Sequence, residues 1–203
     1  DSRALSNILA KKMRQELDVG ITQAYTYKEA QRLIEEEDNF FAALCDLNLP
    51  DAPDGEVVDF VISTGITTIV LTGSDDAALH AEILKKNIVD YVYKGNMDDI
   101  NYLFSLIQLL RENRKTKILI VDDSIVSRET LKKLFEAHKF QVYIAAHGEE
   151  AMYYLHDDHD IKVIVSDDKM PVMDGMELLD TLRIKQSKNE LIFIALSACD
   201  APR

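Results

Sequence analysis

A chain of 203 residues, 47% of them hydrophobic, can fold as one large or two compact domains with well-formed cores. A formal net charge of −13 argues against a nucleic-acid backbone as partner and leaves the surplus acid for a solvated surface and for carboxylates grouped around a cation. No uncharged run reaches membrane-spanning length and no signal peptide is visible, while Cys45 and Cys199, both in or beside apolar strands, read as reduced thiols suited to the cytoplasm.

Leu5 to Leu17 is predicted as a helix, with Leu5, Ile8, Leu9, Met13 and Leu17 near a period of about 3.6 residues. Ile21 to Ala24 is a short strand candidate, and Tyr27 to Glu37 a helix with Ala30, Leu33 and Ile34 on one face. The unbroken apolar run Phe40 to Cys45 suits a parallel strand covered on both sides. After the turn cluster Asp51 to Gly55 come a helix (Val57 to Ser63), a strand (Thr68 to Leu71), a helix (Asp75 to Lys86), a strand (Val89 to Tyr93) and a helix from Asp98 to Asn113. That last helix is apolar beyond a single core-facing stripe, which suggests a second face for another domain or a dimer mate.

Arg111 to Lys117 is charged and reads as the junction between two domains, 1–113 and 114–203. Ile118 to Val121 restarts the cycle as a strand, followed by a helix (Ser127 to His138), a strand (Val142 to Ala145) and a helix (Glu149 to Leu155). A strand (Val163 to Val165), a helix (Met176 to Arg183) and a strand (Leu191 to Leu196) complete the chain. Strands alternating with helices predict an α/β fold with parallel sheets and right-handed crossovers.

The two passes repeat one another. Asp1 aligns with Asp123, Asp46 with Asp167 and Thr72 with Ser197, at offsets of 122, 121 and 125 residues. A repeat of that length is a whole domain. Each half keeps acids and a hydroxyl at strand ends, where open α/β sheets bind ligands. Asp122, Asp123 and Asp167 end strands that neighbour one another in a doubly wound sheet, so three carboxylates converge. Like charges at such range repel unless a cation sits among them, and a hard, oxygen-liganded ion such as Mg²⁺ fits. The bland alternative is that Asp122 and Asp123 only cap the next helix, a reading weakened by the repeat. A carboxylate beside a metal can attack phosphorus and form an aspartyl phosphate. Lys94, Thr72 and Ser197 are placed to bind the phosphoryl oxygens. The run His156 to Asp160 reads as a solvated turn, His138 as a surface residue and Tyr153-Tyr154 as helix packing.

On the segment Ile118-Leu-Ile-Val-Asp-Asp-Ser124 and the run from Asp167 through Lys169, Pro171 and Asp174 to Gly175, the second half resembles the receiver domain of bacterial response regulators. The first half resembles it more loosely, through Asp1-Ser2, Asp46 to Pro50, Asp54-Gly55, Leu71-Thr72 and Tyr91 to Lys94. The resemblance implies two flavodoxin-like (CheY-like) domains with parallel five-stranded sheets in the order 2-1-3-4-5. Both are truncated here, the first lacking its first strand and the second everything from its fourth helix onward. The natural chain is therefore expected to extend at both ends. The resemblance further implies that Asp46 and Asp167 accept a phosphoryl group from a histidine kinase or phosphotransfer protein. It makes Asp123 a direct Mg²⁺ ligand, Asp122 a ligand through water and the Lys169 carbonyl a third; Asp1, Asp46 and the Asn48 backbone play these parts in the first half. It gives Tyr91 the role of switch aromatic. Gly95 departs from the family, which usually has proline there, and Ser166 stands where an apolar residue is usual.

The receivers themselves would only take up and release their own phosphoryl group, switching an output domain whose first candidate is a diguanylate cyclase acting through c-di-GMP. A DNA-binding output and a hybrid kinase are alternatives, as is a first half that serves only as an interaction module. A phosphatase with an aspartate nucleophile needs a second acid two residues on, where this chain has Asn48 and Lys169. A homodimer or interdomain contact through helix 98–113 is expected, and no nucleic-acid or membrane contact.

Overall fold

The computed structural model describes residues 3–37, 39–73, 81–158, 160–184 and 187–197. The chain divides into two compact units, Asp1–Leu109 and Leu110–Arg203. In the first, helices α1 (Arg3–Leu17) and α2 (Tyr27–Glu36) precede β1 (Ala43–Asp46), α3 (Glu56–Ser63), β2 (Thr68–Thr72) and β3 (Asp90–Tyr93). Helix α4 (Met97–Asn113) runs across the division. The second unit holds β4 (Lys117–Val121), α5 (Ile125–Ala137), β5 (Gln141–Ala145), α6 (Gly148–Asp157), β6 (Ile161–Asp167), α7 (Gly175–Arg183) and β7 (Ile192–Leu196).

Among the described residues every strand pairing is parallel, in the orders β1-β2-β3 and β5-β4-β6-β7. These correspond to strands 3-4-5 of one flavodoxin-like sheet and strands 2-1-3-4 of another, the arrangement expected from the sequence. Parallel strands covered on both faces must be apolar throughout, and all five residues of β2 are buried. In the second unit the pleat divides the sheet residues between two cores. Ile118, Ile120 and Val165 meet Leu131 and Phe135 of α5. Leu119, Val121 and Ile164 meet Ala151 and Leu155 of α6 and Leu178 and Leu182 of α7. In the first unit Cys45, Val57, Val58, Val61 and Val70 form one core, edged by Tyr27 against Phe60 in a T-shaped contact.

Three expectations need correction or limits. Residues 21–24 form no strand: a strand needs a neighbour for its backbone groups, and among the described residues none lies alongside. Instead the Ile21 carbonyl accepts from Arg14, and the Gln23 amide donates to Ser6. The strand expected from Phe40 begins only at Ala43, whose N–H meets the Thr67 carbonyl where β2 starts. Of the helix expected over 75–86, residues 74–80 lie outside the described residues and 81–83 are helical.

On α4 the apolar residues Leu103, Phe104, Leu106, Ile107 and Leu110 are buried, while Tyr102 and Leu109 are exposed. No described helix is long and apolar enough to cross a membrane.

Candidate functional site

In the second unit the site is assembled where β4 and β6 end. The N–H of Asp122 pairs with the Ala145 carbonyl, its carboxylate accepts from the Ser124 N–H at 2.8 Å, and its carbonyl accepts from the Arg128 guanidinium. Ser124 also caps α5, its hydroxyl accepting from the Ser127 N–H. At the end of β6 the Asp167 carboxylate accepts from the Asp168 N–H at 2.8 Å. The result is that one carboxylate oxygen from each of Asp122, Asp123 and Asp167 lies within 4.8 Å of the others. Asp122 is buried, Asp167 half-buried and Asp123 exposed, so the cluster opens to solvent on one side.

The segment after Asp167 is held by close packing. The Gly175 N–H donates to the Asp168 carbonyl, and the buried Ser166 hydroxyl donates to the Asp167 carbonyl at 2.9 Å. A Cβ on Gly175 would fall inside the contact radius of the Asp167 carbonyl oxygen and 3.1 Å from the Ser166 hydroxyl. Val172 turns the chain at φ 71°, a costly conformation for a β-branched residue, with the Met173 N–H returning to the Pro171 carbonyl. That turn delivers Asp174 to cap α7 in a reciprocal capping box with Glu177. Lys169 is exposed two residues past Asp167, and Ser197 is the exposed residue following β7, whose Leu196 lies opposite Asp167.

In the first unit Asp46, Thr72 and Lys94 end or follow three adjacent strands. Asp46 is opposite Leu71, Thr72 is opposite Tyr93, and the Lys94 N–H donates to the Thr72 carbonyl. The Lys94 ammonium is in direct contact with the Asp46 carboxylate, both side chains being mostly buried, and the Asn48 N–H donates to Asp46 at 3.2 Å. Burial pushes the Asp46 carboxyl up, yet the group is held below the usual carboxylate range, with the Lys94 hydrogen bond and charge and the Asn48 N–H among the causes that lower it. Thr72 is buried. Asp1, the remaining acid assigned to this half, lies outside the described residues, as does Cys199. Tyr91 is half-buried against the core of Cys45 and Val70. Asp90 beside it accepts from the Tyr91 N–H and from the Tyr102 hydroxyl of α4; that bond and burial push the Tyr102 phenol up to about 12. Burial, then the Asp46 charge, raises the Cys45 thiol to about 12, so it stays protonated and inert.

Replacing Lys94 by methionine is expected to destabilise the protein by about 2 kcal/mol at neutral pH, the worth of a charged hydrogen bond away from water. Because the folded Asp46 carboxyl sits low, the loss is complete above the unfolded value of about 3.9 and fades as pH falls through the lower folded value. Urea denaturation of both proteins across the acid range checks this; a gap that stays constant with pH would contradict it.

Sequence reasoning did not single out Arg128 or the carbonyl contact of Gly175. Arg128 had one signal, a basic side chain four residues after the Ser124 cap. The Ser166 hydroxyl, noted only as a departure from the family pattern, has a definite hydrogen bond. In the run 156–160, read from sequence as a solvated turn, Asp158 pairs with Lys117 at 2.6 Å and accepts from Tyr143.

A model of the response regulator receiver domain matches residues 118–202. Two solved structures match the whole of this chain and 82% of their own, each with a TM-score of 0.80. One is a putative two-component system response regulator/GGDEF domain protein, 29% identical, and the other a probable protein of the same description, 30% identical. The aerobic respiration control protein ArcA of Escherichia coli (strain K12) is 38% identical over 77 residues, 38% of this chain. The two-component response regulator ORR3 of Oryza sativa subsp. indica is 31% identical over 85 residues, 42% of this chain. The chain spans 32% of the length of the first of these and 65% of the second.

Proposed function

We propose a function from the premise that this chain belongs to the response regulator receiver family of two-component signalling: each half takes up a phosphoryl group, on Asp167 in the second and on Asp46 in the first. The observation that carries this reading is the meeting of the Asp122, Asp123 and Asp167 carboxylates within 4.8 Å. In the transfer step an oxygen of the acceptor carboxylate attacks the phosphorus of a phosphohistidine on a kinase or phosphotransfer protein. The P–N bond breaks, its electron pair leaves on the imidazole nitrogen, and an acyl phosphate forms. Attack by water on that phosphorus later returns the free carboxylate and inorganic phosphate.

The donor set fits a hard divalent cation. All three groups are carboxylates, and in Asp122 and Asp167 one oxygen accepts a backbone N–H, which fixes the side chain at the cluster. Asp122, Asp123, Asp167 and the Lys169 carbonyl would hold Mg²⁺ in the second half, and Asp1, Asp46 and the Asn48 backbone in the first. Such an ion supplies neutralisation of the negative charge that acids and phosphoryl oxygens bring together. Around the acceptors the chain's own donors orient the group: Lys94 and Thr72 in the first half, Ser197 in the second. Tyr91 is assigned the switch role, and Tyr102 and Leu109 on the exposed side of α4 mark where a second copy or another domain would sit. For the output we favour a diguanylate cyclase, supported by the two structures that match the whole of this chain, both of response regulator/GGDEF domain proteins.

Beryllofluoride, which mimics an acyl phosphate on aspartate, is expected to bind the protein in Mg²⁺ and not in EDTA. Fluorine NMR reads this directly, and a spectrum without bound signal at saturating Mg²⁺ would remove the reading.

A further inference from the structure

Asp122 is tied by three separate hydrogen bonds, and only one of them comes from a charged side chain. Its N–H goes to Ala145, its carboxylate to the Ser124 N–H and its carbonyl to Arg128. The carbonyl needs a partner because it lies at the end of β4, past the last residue that pairs with β6, and Asp122 is buried. Arg128 is the fourth residue of α5 and is half-buried. From there its guanidinium reaches back to a peptide six residues earlier. The peptide it grips joins Asp122 to Asp123, the two acids that share the cluster with Asp167.

We propose that Arg128 is a positioning residue for the cation pocket of the second unit, holding the Asp122–Asp123 peptide so that both carboxylates face Asp167. This rests on the reading of those three acids as a Mg²⁺ site. The guanidinium donates from one terminal nitrogen to a neutral carbonyl, so it orients the peptide without neutralising either acid through a direct ion pair. The repeat offers a contrast. The residue in the first half that corresponds to Arg128, by the offset that aligns Asp1 with Asp123, is Ser6, which accepts from Gln23.

The sign of the effect separates positioning from electrostatics. Removing a cation beside an acidic pocket strengthens Mg²⁺ binding if charge is all that matters, and weakens it if the carboxylates lose their alignment. The test uses the full chain carrying Asp46→Asn, so that Asp167 alone can form a beryllofluoride adduct. The Mg²⁺ concentration giving half the adduct signal is read by fluorine NMR in this parent and with Arg128→Ala or Arg128→Lys added, with thermal unfolding in EDTA alongside. Arg128→Ala is expected to raise that concentration about tenfold, the scale of one charge-assisted hydrogen bond, while remaining folded in EDTA. Arg128→Lys, keeping the charge and a donor, recovers part of the loss. An unchanged or lower Mg²⁺ requirement in Arg128→Ala overturns the proposal. Should that variant not fold, Arg128→Lys decides: a requirement raised severalfold supports positioning and parent behaviour overturns it. A parent that forms no adduct overturns the underlying Mg²⁺ reading, and the role of Arg128 with it, before any Arg128 variant is compared.

Discussion

Asp167→Asn is expected to abolish phosphoryl uptake by the second unit, and Asp46→Asn to do the same in the first. An asparagine amide has the shape of the carboxylate without its charge or its nucleophilic oxygen, so the loss is on the order of a thousandfold or more. The fold survives, because the Asp168 N–H that donates to the Asp167 side chain can still donate to an amide oxygen. In EDTA the Asp167→Asn protein unfolds no earlier than its parent, since one of three mutually repelling charges has been removed. Each variant, and the double variant, is treated with labelled acetyl phosphate, and the label is located by mass spectrometry of peptides. If both halves are acceptors, each single variant keeps the label on the other aspartate and the double variant carries none. If Asp46→Asn changes nothing, the first unit is an interaction module that takes no phosphate. Label retained in the double variant would mean that neither aspartate is the acceptor.

Gly175→Ala is expected to cost about 3 kcal/mol of stability in the second unit and to cut phosphoryl uptake with it. On local grounds the substitution should help, because alanine exceeds glycine in helix preference by about 1 kcal/mol and Gly175 opens α7. The obstacle is the Asp167 peptide. The new methyl group would overlap the Asp167 carbonyl oxygen and press on its carbonyl carbon at 3.2 Å, and that backbone is the end of a central strand with no room to retreat. Either α7 moves off the sheet, unpacking Leu178 and Leu182 from the core, or Asp167 moves and the acid cluster opens. Gly148→Ala is the control. Its methyl group would meet the half-buried side chain of Met173, whose Cγ and Sδ can swing away by a rotamer change while its Cβ, 2.9 Å off, moves only with the backbone, so the expected cost is smaller than at Gly175, about 1 kcal/mol. Urea denaturation and the Mg²⁺ dependence of beryllofluoride binding test both. A Gly175→Ala protein as stable as its parent would show that the contact is slack.

Much of the molecule could be read without coordinates because the governing rules are local. Apolar runs such as Ile118 to Val121 and Thr68 to Leu71 mark strands buried on both faces, and the spacing of Leu9, Met13 and Leu17 marks a helix whatever lies elsewhere. Acids placed where strands end, repeated at nearly the same interval, locate the pocket because a parallel sheet brings its carboxyl ends to one edge. Residues 21–24 look like a strand by the same rules and are not one, since a strand exists only beside a partner. Lys94 was placed at the Asp46 site from the sequence, but Arg128 on Asp122 and Gly175 under the Asp167 carbonyl were invisible in the string of letters. Each depends on the angle at which a helix leaves a strand or on which strands lie side by side, and packing of the whole domain sets those. Periodicity is a property of neighbours along the chain, whereas a pocket is made by neighbours in space.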